Sequence, residues 1–481
     1  MSSKSFEQCS KKLAGFFRRF GEYIRSEEVR SLIRKFPTAF VRIYKFPWFD
    51  VIYYLIFRNE NCTPSEISSY YADIGKKHLR ISRQAAFKAI KKVRWQVFPA
   101  LIRKFAELFY SSDIVKTYHG YILLAEDGTC NELMPTENSL NLFGFARNQN
   151  IKCREDALKS TSRSAALYDV TNGLIVNFSM NPFKSAEIPI AVNHLEESHD
   201  LFSGRKVIYL ADRNYGSVEL FSILEGHGFN YCIRAKSNFF KKEVADMSSD
   251  DEWITVHIDK IWQKRLKYAQ PKDRFLKDPF IQIRVVKHLY SYFDKYGSLQ
   301  TAQLMYFTNL SEDEFCKSDI VSLYSKRWDL EVSYKTLKTD LEWERFFSRN
   351  CDCELCAIYS KVLFHNLNGI VRKELNEVFA EDPANKDNKY IYSANITQLA
   401  KSLREFSVCR YIRSRNYKAL RTVFDLIFEL RHKLKVPIRP DRHNQRWGRV
   451  VVSSAPIRFR LDGRHWPKVV RIKGHLQTTQ P

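Results

Sequence analysis

Long apolar runs are missing from this sequence. The longest, "VIYYLIF" at 51–57, falls far short of the roughly 20 residues that a membrane-spanning helix needs. The opening "MSSKSFEQCSKKLAGFFRRF" has no continuous apolar stretch of the kind a secretory leader carries. Ten cysteines scattered irregularly over 481 residues do not make a disulfide framework, so a reducing compartment is expected. The chain reads as cytoplasmic, with no membrane partner. Acidic residues are also scarce: 54 Asp and Glu face 78 Lys and Arg, for a formal net charge of +24. Such an excess points to a polyanion, of which nucleic acid is the commonest, over charge kept for solubility alone. No internal repeat is visible. What is present is 44% hydrophobic and 14% aromatic residues, enough to bury substantial cores in about three domains of roughly 150 residues.

Residues 1–115 read as helical. "TPSE" at 63–66 starts one helix, with a capping residue, a proline at the first helical position and an acid in the first turn. Ser82 caps a second, "RQAAFKAIKKV", dense in Arg83, Lys88, Lys91 and Lys92. The pair resembles a helix-turn-helix, with Arg83 and Lys88 as DNA-facing candidates; a merely solvated basic face is the alternative. From 116 the pattern becomes mixed α/β. "YILLAEDGT" reads as a strand ending at Asp127 and a glycine turn. "SAALYDVTNGLIVNFSM" reads as a hairpin turning at Asn172-Gly173, and a helix follows. "KVIYLADRNYGS" reads as a buried strand ending at Asp212, succeeded by another helix and strand. A β-rich insertion is expected at about 237–300 within a catalytic unit of 116–345, then a helical region at 346–435 and a basic tail at 436–481. The tail, with Arg439, Arg442, Arg446, Arg449 and Trp447 among others, suits a phosphate backbone. Cys351, Cys353 and Cys356 lack a fourth ligand at zinc-type spacing, which favours reduced, partly buried thiols.

"LYSKRWDLEVSYKTLK" at 323–338 reads as one helix. Tyr324, Arg327, Glu331 and Lys338 return to a single face at 3.6 residues per turn. A phenol, two cations and a carboxylate replace the apolar stripe of a packing helix, although a solvated face with a Glu331–Lys335 pair gives the same spacing. Asp127 and Asp212 shift the balance. Both stand where a buried strand opens into a loop, the usual seat of reactive groups. Two such aspartates and a helix glutamate can hold two hard divalent ions for in-line phosphoryl displacement.

The ordered motifs "AEDGT", "LADRNYGS" and Y-x2-R-x3-E-x6-K resemble the DDE transposases of bacterial insertion sequences, in the branch with the Y-R-E-K signature, over roughly residues 120–370. The resemblance implies an α/β ribonuclease H-like core with a β-rich insertion, flanked by helical regions. It implies Asp127, Asp212 and Glu331 as catalytic ligands of two Mg²⁺ ions, for which Mn²⁺ may substitute. It also implies cleavage at terminal inverted repeats, joining of 3′ ends to target DNA, and a homodimer that holds the double-stranded transposon ends in a synaptic complex. Tyr324, Arg327 and Lys338 would contact phosphates, as would Arg213. Some relatives stack a flipped base on a tryptophan of the insertion, for which Trp253 and Trp262 are the candidates and no local motif chooses between them. Where relatives often carry glycine, Asn214 stands, a residue that tolerates left-handed backbone. A catalytically inactive DNA-binding descendant and a structure-specific nuclease on the same fold are the competing readings.

Overall fold

A computed structural model describes residues 3–439 apart from 42–44, 59–62, 80, 147–158, 294–297, 383–384, 386–387 and 406, together with 469–472 and 475–478. Most of the expected basic tail therefore lies outside the described residues. The centre is a mixed sheet of eight strands in the order β3-β2-β1-β4-β5-β8-β7-β6. The strands are β1 (Tyr121–Leu133), β2 (Ser160–Asp169), β3 (Leu174–Pro182), β4 (Lys206–Ala211), β5 (Asn230–Arg234), β6 (Asp251–His257), β7 (Phe280–Phe293) and β8 (Leu299–Thr308). β1, β4 and β5 run parallel, while β2 is antiparallel to both β1 and β3. The result is the mixed α/β class that the sequence indicates.

The hairpin between β2 and β3 turns where expected. Gly173 adopts a left-handed φ of +67°, which only glycine takes at no steric cost. The Asn172 side chain closes the turn by donating to Asp169 Oδ2 (2.7 Å) and to the Lys116 carbonyl (3.0 Å). β4 and β5 are buried on both faces, consistent with their unbroken apolar sequence.

The insertion extends the sheet. β8 pairs with β5 through Arg234, Ile233 and Cys232, and along its other edge with β7. Arg284 of β7, fully buried, pins this extension. It pairs bidentately with Asp251 (2.7 Å for both bonds) and donates to the carbonyls of Leu310 (3.2 Å) and Phe315 (2.8 Å). A buried guanidinium this fully satisfied fixes geometry as well as charge.

Helices from both ends of the chain pack over the sheet. Helix Cys351–Glu381 runs beneath it, with Tyr359 edge-on to Phe178 of β3 and stacked on Trp95. The first helix, Ser3–Ile24, lies against Tyr417–Glu429 through Phe17 and Phe424. Arg58 and Glu66 form a buried pair at 3.1 Å, and the Lys361 ammonium donates to the Arg58 carbonyl. Cys351, Cys353 and Cys356 are buried in this packing, and burial pushes the first two thiols up to about 12. They behave as buried thiols. Among the described residues, no helix is long and apolar enough to cross a membrane.

Candidate active site

β1 and β4 bring the two aspartates together. Their parallel ladder closes at Glu126 opposite Ala211, so Asp127 and Asp212 are the next residues on neighbouring strands. β4 ends there, as expected. β1 does not: it continues to Leu133, paired with β2 from Gly128 opposite Ala165 to Leu133 opposite Ser160. The expected glycine turn is absent because the long β2 supplies a partner for the whole segment. Gly128 instead makes room for a side chain, since a Cβ there would meet Glu187 Oε1 at 3.2 Å.

Alternation along β1 sends neighbouring residues to opposite faces. Glu126, fully buried, contacts His194 (Oε1 to Nδ1, 2.9 Å), whose Nε2 lies 2.8 Å from Ser179 Oγ. Asp127 thus faces the other way. Asp212 is held by the turn after β4: Asn214 donates to it from its backbone N–H (2.8 Å) and its amide (3.4 Å). Asn214 does not use left-handed backbone; it acts as a hydrogen-bond donor to Asp212.

Glu331 comes from the segment after the insertion, and that segment is not one helix. Lys317–Ser325 and Trp328–Lys335 are separate helices. Between them the bonds tighten to three-residue spacing, as in Arg327 N–H to Tyr324 O (3.0 Å) and Leu330 N–H to Arg327 O (3.1 Å). Beyond Lys335 they loosen, and Thr336–Asp340 forms a π-helical turn closed by Leu341 N–H to Thr336 O. Such irregularities re-aim side chains, often at functional sites. The single straight stripe expected from spacing is replaced by a bent one.

The bend sets Arg327 between two acids. Its Nη1 donates to Asp127 Oδ2 at 3.1 Å and its Nη2 to Glu331 Oε1 at 2.6 Å. The guanidinium is 10% exposed, against 21% for Asp127 and 35% for Glu331. Burial pushes the Asp127 carboxyl up to about 6; the Gly128 N–H and Arg327 pull it down, and the charges of Asp212 and Glu331 push it further up. That coupling places the three acids in one electrostatic group. Among the described residues, their oxygens are not drawn as close as the donor atoms of Glu196, His199 and His227, one carboxylate oxygen and two ring nitrogens that lie within 4.8 Å of one another. A guanidinium already bridges two of them.

The remaining expected contacts sort themselves by location. Lys338 lies along β1, donating to Thr129 Oγ1 (2.8 Å) and the Cys130 carbonyl (2.9 Å). The Tyr324 ring lies 4.8 Å from Tyr306 of β8, and the Arg327 guanidinium carbon is 5.7 Å from its centroid. Burial is the main reason its phenol is pushed up to about 12. Arg213 is exposed beside Asp212. A cleft of about 230 Å³ opens next to Asn214, lined also by Glu187, Glu219, Lys267 and Tyr268. Trp253 lies on β6, 41% exposed. Trp262, on the short helix Lys260–Arg265, packs near Phe239 and Phe240. Arg83 and Lys88 lie on helix Arg83–Ile90, outside the sheet. The connection from the preceding helix, Thr63–Asp73, spans 74–82, longer than the 3–4-residue turn of a helix-turn-helix.

Sequence reasoning missed Tyr334, whose hydroxyl donates to the Asp127 carbonyl at 2.7 Å. Its spacing of three from Glu331 was the available signal. For Arg327, the i,i+4 spacing signalled the contact to Glu331, but nothing local signalled the one to Asp127, 200 residues away.

The family described as "Transposase DDE domain" matches residues 127–367, from Asp127 past Glu331 and into helix Cys351–Glu381. Among solved structures, the chain resembles a piggyBac transposase synaptic complex with hairpin DNA, determined by cryo-EM. The identity is 12%, the match covers 91% of this chain and 87% of that one, and the TM-score is 0.40. No curated protein matches.

Proposed function

Because the chain belongs to the family of transposases with a DDE domain, we propose that it cuts DNA at the terminal inverted repeats of an insertion sequence and joins the 3′ ends to target DNA. Within the family, the Y-R-E-K branch is the reading favoured by Tyr324, Arg327, Glu331 and Lys338. The observation that carries the proposal is the grouping of Asp127, Asp212 and Glu331, whose charges act together on the Asp127 carboxyl. Asp127 and Asp212 stand side by side at the end of a parallel ladder, and Arg327 ties Asp127 to Glu331.

Divalent metal goes with this family, and the donor set fits Mg²⁺ or Mn²⁺: carboxylate oxygens only, on rigid elements. Asp127, Asp212 and Glu331 are the residues that would hold two such ions. When bound, the pair supplies an activated water or 3′-hydroxyl and charge stabilisation at the leaving oxygen. The chain's own groups do the rest. Tyr334 fixes the Asp127 backbone, and Asn214 orients the Asp212 carboxylate. Arg327, once an ion takes over its carboxylates, is free to donate to a phosphate, and Lys338 and Tyr324 flank it on the same segment. Lys and Arg held this way position a DNA backbone without reading its sequence. The division into a helical N-terminal DNA-binding part, a catalytic part and a basic tail belongs to the same proposal, as does a homodimer that pairs two ends.

Cleavage of end-bearing DNA in Mg²⁺ tests this directly. Glu331→Gln is expected to bind the ends and not cut them. Normal cutting by that variant removes the assignment.

A further inference from the structure

A second set of metal-type donors lies at the opposite end of the strands from the three acids. Glu196 and His199 come from the end of helix Glu187–Ser198 and the turn after it, which lead into the start of β4; His227 caps helix Val218–Gly226 just before β5. β4 has six residues, so the separation is about 20 Å at roughly 3.3 Å per residue. One donor atom from each of the three side chains lies within 4.8 Å of the other two. The imidazole rings stack at 4.5 Å with 24° between planes, and His227 Nε2 is 3.3 Å from Glu196 Oε1.

The tautomer of His199 follows from its partner. Its Nδ1 is 3.0 Å from the Glu196 carbonyl, which can only accept, so Nδ1 carries the proton and Nε2 keeps a free lone pair. A backbone carbonyl in that role is the usual support of a metal-ligating histidine. His227 is fixed as well: its backbone N–H bonds to Ile223 O, and its ring lies 6.0 Å from Phe229. Asp200 lies near His199 as well, but it is paired with Arg103 and stays outside the donor set. Two imidazoles and a carboxylate with open positions left over form the donor set of a borderline transition metal, not of Mg²⁺.

We propose that Glu196, His199 and His227 bind one divalent ion of the Zn²⁺ class, clipping the helix before β4 to the helix after it. The site is separate from the acidic one and does not depend on the proposed activity. Its test uses the full chain carrying Asp127→Asn and Glu331→Gln, so that the acidic group no longer competes for metal. Calorimetric titration with Zn²⁺ is expected to show one ion per chain and a raised Tm. Supporting groups alone contribute about 10–100-fold to metal affinity, so His199→Ala and His227→Ala should each weaken Zn²⁺ by at least about tenfold. Co²⁺ should give a visible absorption band that both variants lose. His199 is exposed, so its variant is expected to stay folded should His227→Ala prove unstable. No stoichiometric Zn²⁺ binding, or equal binding by the parent and His199→Ala, overturns the proposal.

Discussion

Arg327 donates to Asp127 across 3.1 Å, joining residues 200 positions apart in the chain. The contact places positive charge between two carboxylates that otherwise repel. Removing one partner of a largely buried pair typically costs about 3 kcal/mol. Arg327→Ala is expected to lose that order of stability to urea in EDTA and to recover part of it in Mn²⁺. Equal stability of variant and parent in EDTA contradicts the bridge.

Burial pushes the Asp127 carboxyl from 3.8 up to about 6, with two consequences of opposite sign. Metal binding requires the carboxylate and must displace its proton, so affinity for Mn²⁺ should fall as pH drops through 6. Metal-free stability should instead fall as pH rises from 3.8 to about 6, because over that window the folded chain binds the proton more tightly than the unfolded one. Asp127→Asn should flatten that part of the stability profile. A profile unchanged by the substitution argues against a buried, proton-holding Asp127.

Glu354 supplies an independent test of the packing. It sits in the first turn of helix Cys351–Glu381, where a negative charge is normally favoured, yet it is 1% exposed and neither carboxylate oxygen has a well-formed hydrogen bond. Burial wins over partial relief from the Met134 backbone and pushes it up to about 8. The fold should therefore lose stability between pH 4.5 and about 8, and Glu354→Gln should lose less. Denaturant titrations at pH 5 and pH 8 compare the two.

Lys338 makes two hydrogen bonds to β1, each worth about 1 kcal/mol net, so Lys338→Ala should be only mildly destabilised. Its larger effect should be on DNA: weaker binding across sequences and a salt slope lower by about one. Filter binding at several salt concentrations reads both. An unchanged slope places Lys338 off the backbone.

Of the two insertion tryptophans, Trp253 is the accessible one. Trp253→Ala should stay within about 0.5 kcal/mol of the parent in stability, whereas Trp262→Ala should cost more, because its ring packs near Phe239 and Phe240. If a base stacks on the insertion, DNA should quench Trp253 fluorescence and leave Trp262 unaffected. The reverse pattern would identify Trp262.

How far the site could be read in the sequence varies with the element. Asp212 was legible because β4 is an unbroken apolar run that ends one residue before it. The Asn172-Gly173 turn was legible because only a few residues accept its backbone geometry. Asp127 was misjudged as a strand end, since nothing local reveals that β2 extends far enough to pair with residues 128–133. The bend at Lys326–Arg327 has no proline or glycine to announce it. It coincides with the contact from Arg327 to Asp127 on a distant strand, and such contacts lie outside any periodicity. The same reason hid Tyr334, which answers to a carbonyl 207 residues away.

Diffraction from crystals soaked in Mn²⁺, recorded at an anomalous wavelength, tests the central claim most directly. The account predicts manganese peaks about 2.1 Å from oxygens of Asp127, Asp212 and Glu331, with the Arg327 guanidinium displaced from between Asp127 and Glu331. Manganese bound elsewhere, with Arg327 still bridging the two carboxylates, would contradict it.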